Sequence, residues 1–255
     1  MNETFLYGRT ALVTGATRGI GFAIAGALSA AGASLAICGR DQARVDDAVR
    51  RLAADSGQGI GQPPVGRKVV GKAADVRGSA EVAALFEWID RELGGPDILV
   101  NNAGVGIMRN VAELTVEQWQ ETLETNLSGV FYCSRQALVR MKNRGAGYII
   151  NIGSLAGKNA FAGGAAYNAS KFGLHGFTEA MMMDQRYENV RVSHIMPGSV
   201  DTSFSGAENN ASGAERRVDW KIAPEDIGEI VLMMLRMPER TLVSQVEVRP
   251  AKPRR

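Results

Sequence analysis

Seven short apolar runs recur along the 255-residue chain, and longer stretches of helical period separate them. Strands are predicted at residues 9–14, 34–38, 68–70, 97–100, 147–152, 190–195 and 241–248. Helices are predicted at 20–31, 42–54, 80–93, 116–144 with one break, 165–187 and 225–236. The strands are nearly continuous in apolar residues, as in Ile98, Leu99 and Val100, so both faces of their sheet must be covered. Strands that alternate with helices demand right-handed crossovers and a parallel sheet, which is an α/β, doubly wound, seven-stranded fold. No repeat, low-complexity tract or shift in composition divides the chain, so residues 1–255 read as a single domain. Residues 56–66, rich in Gly and Pro, read as a long surface loop. The irregular stretch 199–213 follows the carboxyl end of a strand and reads as a candidate lid over the sheet's crevice.

Composition narrows the class of partner. The net charge of +2 comes from 29 basic and 27 acidic residues that are well mixed, which gives no electrostatic case for nucleic acid or a membrane surface. The one basic run, 249–255, is interrupted by Pro250 and Pro253 and reads as a solvated terminus. No apolar run approaches the ~20 residues that span a bilayer, and no secretory leader pattern opens the chain. Two cysteines, Cys38 and Cys133, lack metal or disulfide spacing and read as buried thiols in a cytoplasmic protein. His175 and His194 have no third partner at ligand spacing, so both read as packing residues and no metal site is expected.

The first chemical signal is the turn between the first strand and the first helix. It carries Gly15, Thr17, Arg18, Gly19, Ile20 and Gly21. Glycines there allow a tight turn and close approach of the backbone to a diphosphate, while the helix N-terminus offers free N–H groups and a positive dipole end. The spacing Gly-x3-Gly-x-Gly departs from the dinucleotide fingerprint, so its place between strand and helix carries the argument. At the end of the second strand an acid would bind a free ribose 2′-hydroxyl, whereas arginine would pair with a 2′-phosphate. Here Arg40 stands at that point, Arg18 offers a second cation, and Asp41 reads as the N-cap of the next helix.

Tyr167 and Lys171 are four apart on a helical pattern and therefore share a face. A nearby ammonium stabilises a phenolate and lowers the tyrosine pKa from its reference of about 10. Ser154 stands just beyond the fifth strand, where its hydroxyl could hold a carbonyl oxygen. Asn101, Asn102, Ala103 and Gly104 end the fourth strand, and Asn126 lies inside the long fourth helical stretch, where a bend or cap is the plain reading.

Taken in this order and spacing, residues 14–21, 101–104, Asn126, Ser154, Tyr167, Lys171 and Pro197-Gly198 through Thr202 resemble the short-chain dehydrogenase/reductase family over almost the whole chain. The resemblance implies a Rossmann-type sheet with a cofactor half at about 9–152 and a substrate half at about 153–255. It implies NADP(H) as cofactor and a catalytic tetrad of Asn126, Ser154, Tyr167 and Lys171, with Asn126 holding a water that links Lys171 to solvent. It places Asp75 and Val76 beside the adenine, Asn102, Ala103 and Gly104 on the adenosine side, and Pro197, Gly198, Val200 and Thr202 at the carboxamide. It also implies pairing of helical regions 123–144 and 165–187 into a homodimer or homotetramer. The expected activity is reduction of a small ketone, aldehyde or 3-ketoacyl carbonyl, with a carrier-protein ketoacyl reductase and a non-catalytic NADP-binding regulator as alternatives. The chain ends differently from such carrier-protein reductases, because residues 244–249 run straight into Pro250 without an Asp-Gly-Gly-like turn.

Overall fold

A computed structural model of the chain describes residues 4–55, 67–202, 204 and 220–253. The loop expected at 56–66 lies outside the described residues, as does most of the stretch 199–213. Strands β1 (Thr10–Thr14), β2 (Ser34–Gly39), β3 (Val69–Ala73), β4 (Ile98–Asn101), β5 (Gly147–Ile152), β6 (Val190–Pro197) and β7 (Gln245–Val248) form one sheet in the order β3-β2-β1-β4-β5-β6-β7. Every neighbouring pair is parallel. After β3 the chain returns to the centre and adds β4 on the other side of β1, so the connections leaving β1 and β4 diverge. A crevice at the carboxyl edge is the geometric result of that reversal.

The helices are α1 (Gly19–Ala30), α2 (Gln42–Asp55), α3 (Ser79–Leu93), α4 (Val116–Leu123), α5 (Gly129–Arg144), α6 (Ala165–Gln185) and α7 (Pro224–Arg236). Successive side chains of each strand point to opposite faces, and a core lies on each. Ala11, Val13, Ile98 and Val100 join Ile24, Leu28, Val45 and Val231 on one side. Leu12 and Leu99 join Leu85, Phe86, Cys133, Met141 and Met181 on the other. Both faces are thus apolar, which is why the strands read as continuous runs. Cys38 and Cys133 are both buried and free, and burial pushes the Cys38 thiol up to about 12.

Local signals set several helix ends. Thr115 and Gln118 form a reciprocal capping box at α4, each accepting from the other's backbone N–H at 3.2 Å. Asp41 accepts from Arg44 N at 3.2 Å and caps α2 as expected. Gly94 and Gly145, at φ +77° and +75°, close α3 and α5 in the left-handed conformation that a Cβ disfavours. The break expected within 116–144 is a π-helical turn, Glu124–Ser128, between α4 and α5.

β3 and β7 differ most from expectation. β3 extends to Ala73 because Gly71 and Lys72 continue the ladder opposite Ile37 and Cys38. Gly71 is a packing requirement there, since a Cβ would stand 2.5 Å from Val45 and 2.7 Å from Val49. β7 begins only at Gln245, because Thr241 N still turns back onto Pro238 O at 2.8 Å.

A buried polar chain ties the centre together. Asn101 donates to Ser134 Oγ at 3.0 Å and to Asn151 Oδ1 at 2.8 Å, and Asn151 donates to Thr178 Oγ1 at 2.9 Å. This chain joins β4, β5, α5 and α6, and each link satisfies a group that would be costly to bury alone. His194 of β6 is buried too, with its Nδ1 3.3 Å from Nδ1 of His175 on α6. Burial first, then the charges of Lys171, His175 and Lys158, push its pKa down to about 3. The unfolded chain therefore binds the extra proton between the ordinary value of 6.5 and about 3, so stability present above 6.5 is lost as the pH falls through that window. Thermal melts should show Tm falling there, and His194→Gln should have a shallower acid limb. An identical acid limb in the variant would remove His194 as a source of acid lability.

Candidate active site

The turn after β1 is shaped by what a side chain would strike. Gly15 and Gly19 have φ of +63° and +59°, and a Cβ on Gly15 would stand 2.7 Å from Ala103 Cα. A Cβ on Gly21 would run into the Asn102 amide and lie 2.5 Å from Gly15 O. Asn102 donates from one Nδ2 to Thr14 O and Gly15 O, both at 3.0 Å, and Thr14 Oγ1 accepts from Asn102 N and Ala103 N, both at 3.0 Å. These bonds strap the end of β4 to the glycine turn. Asn102 is thus a strut as well as a wall residue, a role that only the adjacency of β1 and β4 reveals. α1 has no side-chain cap and no acid in its first turn, so its N–H groups stay available to an anion.

One cleft of about 690 Å³ runs along the carboxyl edge. Its near end is lined by Gly15, Thr17, Arg18, Gly19, Ile20 and Arg40, and its floor by Asp75, Val76, Asn102, Ala103 and Gly104. Its far end is lined by Ser154, Tyr167, Lys171, Pro197, Gly198, Val200 and Thr202. Of the residues predicted from sequence, Gly21 and Asn126 stand behind the wall instead. Arg44, Met108 and Lys221 also line the cleft and escaped the sequence reading. Arg44 had a signal, because it lies in the first turn of α2, four residues beyond Arg40; Lys221 had none, being distant in sequence from every motif. Gly39 lets Thr17 pack, since a Cβ there would stand 2.8 Å from Thr17 Cγ2.

On the cleft floor, Arg77 forks onto Asp75 with Nη2 to Oδ2 at 2.6 Å and Nε to the two oxygens at 2.9 and 3.1 Å. The hydrogen-bonded guanidinium holds the Asp75 carboxyl below the usual carboxylate range.

Tyr167 and Lys171 lie one turn apart on α6, both buried. Lys171 Nζ donates to Ile152 O at 3.1 Å and sits 5.8 Å from the centroid of the Tyr167 ring. Burial pushes Lys171 down to about 8. Burial also raises the Tyr167 pKa, and a side-chain hydrogen bond with Ser154 opposes that rise. The expected lowering of Tyr167 by Lys171 is therefore not the ruling effect in this geometry: desolvation is larger, and the ammonium is engaged with a main-chain carbonyl. Ser154 Oγ accepts from Ala156 N at 3.1 Å, which fixes it at the lip of β5.

Asn126 occupies the π-helical turn. Its Oδ1 accepts from Val105 N at 2.8 Å, and its Nδ2 donates to Val105 O at 2.9 Å and Ser170 Oγ at 3.0 Å. With both ends of the amide engaged, this side chain locks the loop after β4 to α6. Phe204 covers the far end, its ring 5.9 Å from that of Tyr167, and a Cβ on Gly106 would stand 2.6 Å from Phe204 Cε1. Among the described residues no group of three or more His, Cys, Asp or Glu gathers as a metal site, and no helix is long and apolar enough to cross a membrane.

Comparison with known proteins agrees with this architecture. The family model described as short chain dehydrogenase matches residues 9–213. An uncharacterized oxidoreductase of Staphylococcus saprophyticus is 34% identical over 245 residues, covering 96% of this chain and 98% of the relative. An alcohol dehydrogenase from the archaeon Thermococcus sibiricus, complexed with 5-hydroxy-NADP, superposes with a TM-score of 0.85 at 27% identity, covering 97% of this chain and 98% of its own. A variant of actinorhodin polyketide ketoreductase with NADPH superposes with a TM-score of 0.82 at 30% identity, covering 95% and 96%. The chain belongs to the short-chain dehydrogenase family and is an oxidoreductase of the CH-OH/C=O class.

The strut makes a test of the cradle. Asn102→Asp keeps the size but sets a carboxylate against two carbonyl oxygens, so dinucleotide affinity should fall about tenfold or more, as loss of buried hydrogen bonds implies. Fluorescence titration with NADPH reads this; unchanged affinity would show that the strap does not hold the turn.

Proposed function

We propose that the protein is an NADPH-dependent reductase of small or medium apolar carbonyl compounds, acting reversibly. The observation that carries the reading is that one cleft joins Arg18 and Arg40 at one end to Ser154, Tyr167 and Lys171 at the other. The cradle fits a dinucleotide: the spaces at Gly15 and Gly21 admit no side chain, and the N-terminus of α1 is uncapped by any side chain. When bound, the reduced nicotinamide supplies a hydride to the carbonyl carbon.

The chain's own residues do the rest. Arg18 and Arg40 offer cations to a 2′-phosphate, and Asp75 and Val76 flank the adenine. Asn102, Ala103 and Gly104 wall the adenosine side, while Pro197, Gly198, Val200 and Thr202 hold the carboxamide end. Ser154 orients the substrate oxygen, and Tyr167, a neutral phenol whose burial disfavours the phenolate further, gives that oxygen its proton. Lys171 releases Ile152 O to bind the ribose hydroxyls and stabilise the phenolate that proton transfer leaves. Because the Asn126 side chain is already engaged, its part in proton resupply falls to the main chain of the π-helical turn, which would hold the water. Val105, Met108 and Phe204 give the far end its apolar walls. Likeness to a polyketide ketoreductase supports 3-ketoacyl compounds as one substrate group to try first. Exposed Phe131 and Val139 on α5, with Phe172 and Met183 on α6, support a homodimer or homotetramer formed through these helices.

Tyr167→Phe should lower turnover with NADPH and an activated ketone by about 100-fold or more while still binding NADPH, the scale of a lost general acid. Wild-type turnover would refute the acid assignment. Arg40→Asp should shift preference toward NADH, and an unchanged ratio of kcat/KM values would place Arg40 outside the recognition of the phosphate. Since Tyr167 is pushed up, alcohol oxidation, which needs the phenolate, should rise with pH well above neutrality, whereas carbonyl reduction should hold through neutral pH. An oxidation rate flat from pH 6 to 10 would contradict that direction.

A further inference from the structure

Five charged groups gather where the cleft begins: Arg40 after β2, Asp75 and Arg77 after β3, Glu121 on α4 and Glu124 in the π-helical turn. Arg77 is taken by Asp75, and the fields of Glu121 and Glu124 reinforce its charge. Arg40 is taken by Glu121, with Nη1 3.4 Å from Oε1. Glu121 itself does not line the cleft, and its side chain is 34% exposed against 62% for Arg40. Among the described residues Arg18, across the same opening, makes no ion pair.

We propose that Glu121 is a specificity-determining residue for the cofactor, an internal anion that holds Arg40 when the 2′ position is empty or carries a hydroxyl. The inference rests on Arg40 as the partner of the 2′-phosphate. A phosphate arriving at Arg40 must either displace the Glu121 carboxylate or share the guanidinium with it at close range. Both cost binding free energy for NADPH. NADH brings a hydroxyl that needs no cation, so the Arg40–Glu121 pair persists and NADH is bound without that cost. Glu121 therefore narrows the preference for NADPH that Arg18 and Arg40 create. The pair is partly exposed, so the effect is modest and screened by salt, on the order of two- to fivefold in Kd.

The test is a double-mutant cycle read by fluorescence titration of NADPH and NADH into wild type, Glu121→Gln, Arg40→Ala and the double variant, with thermal melts confirming that each is folded. Glu121→Gln should tighten NADPH about two- to fivefold and leave NADH unchanged, as expected for a partly exposed pair. The gain should vanish in the Arg40→Ala background and shrink at about 0.5 M salt. If Arg40→Ala weakens NADPH but Glu121→Gln alters neither cofactor, or both equally, Glu121 is idle and the inference is overturned while the cofactor reading stands. A gain that survives in the Arg40→Ala background overturns it as well, since Glu121 would then act without Arg40. If Arg40→Ala leaves NADPH affinity unchanged, the underlying reading of Arg40 fails and this inference fails with it.

Discussion

The single amide of Asn102, bonded to the carbonyls of Thr14 and Gly15, ties together and aligns the ends of β1 and β4 at the cleft. Strand order alone puts a crevice between β1 and β4, but it does not fix the shape of a glycine turn. Two donated bonds, together with the Thr14 hydroxyl that accepts from Asn102 N and Ala103 N, turn a flexible glycine segment into a defined cradle. Glycine 21 completes the arrangement by leaving the amide room. Loss of any one of these contacts loosens the others, because they share the same few atoms.

At the opposite end the ruling force is desolvation. It moves Tyr167 and Lys171 in opposite directions, both toward the neutral form, and the hydrogen bond from Ser154 works against it for the tyrosine. The site is thus built with its acid loaded and with an ammonium that keeps its charge at neutral pH by a narrower margin than a free lysine. A bound diol beside Lys171 would replace the lone carbonyl of Ile152 as its partner and favour the ammonium form. Chemistry and binding are coupled through the same buried nitrogen.

How much of this the amino acids disclosed depended on distance along the chain. The glycine turn, the Asp41 cap and the Tyr167–Lys171 spacing are local patterns, and each was readable. The central strands were readable because both faces are buried, whereas at the edges, where β3 and β7 are only partly buried, Gly71 hid the length of β3 and the turn at Pro238 shortened β7. What stayed hidden is non-local. Asn102 as a strut requires knowing that β1 neighbours β4, and the grip of Asn126 on Val105 and Ser170 spans 21 and 44 residues. The direction of the Tyr167 shift needed its burial, which no spacing states.

The π-helical turn has one more consequence. Thr122 of α4 and Met141 of α5 are both buried and stand 19 residues apart in number, whereas five ideal turns take about 18. The wide turn absorbs the surplus residue, so both ends of the long helical run keep the same face inward. A chain shorter by one residue here could therefore bury the same stripe with regular geometry. What the surplus gives is a main-chain irregularity, with Asn126 in it, against the back wall of the cleft.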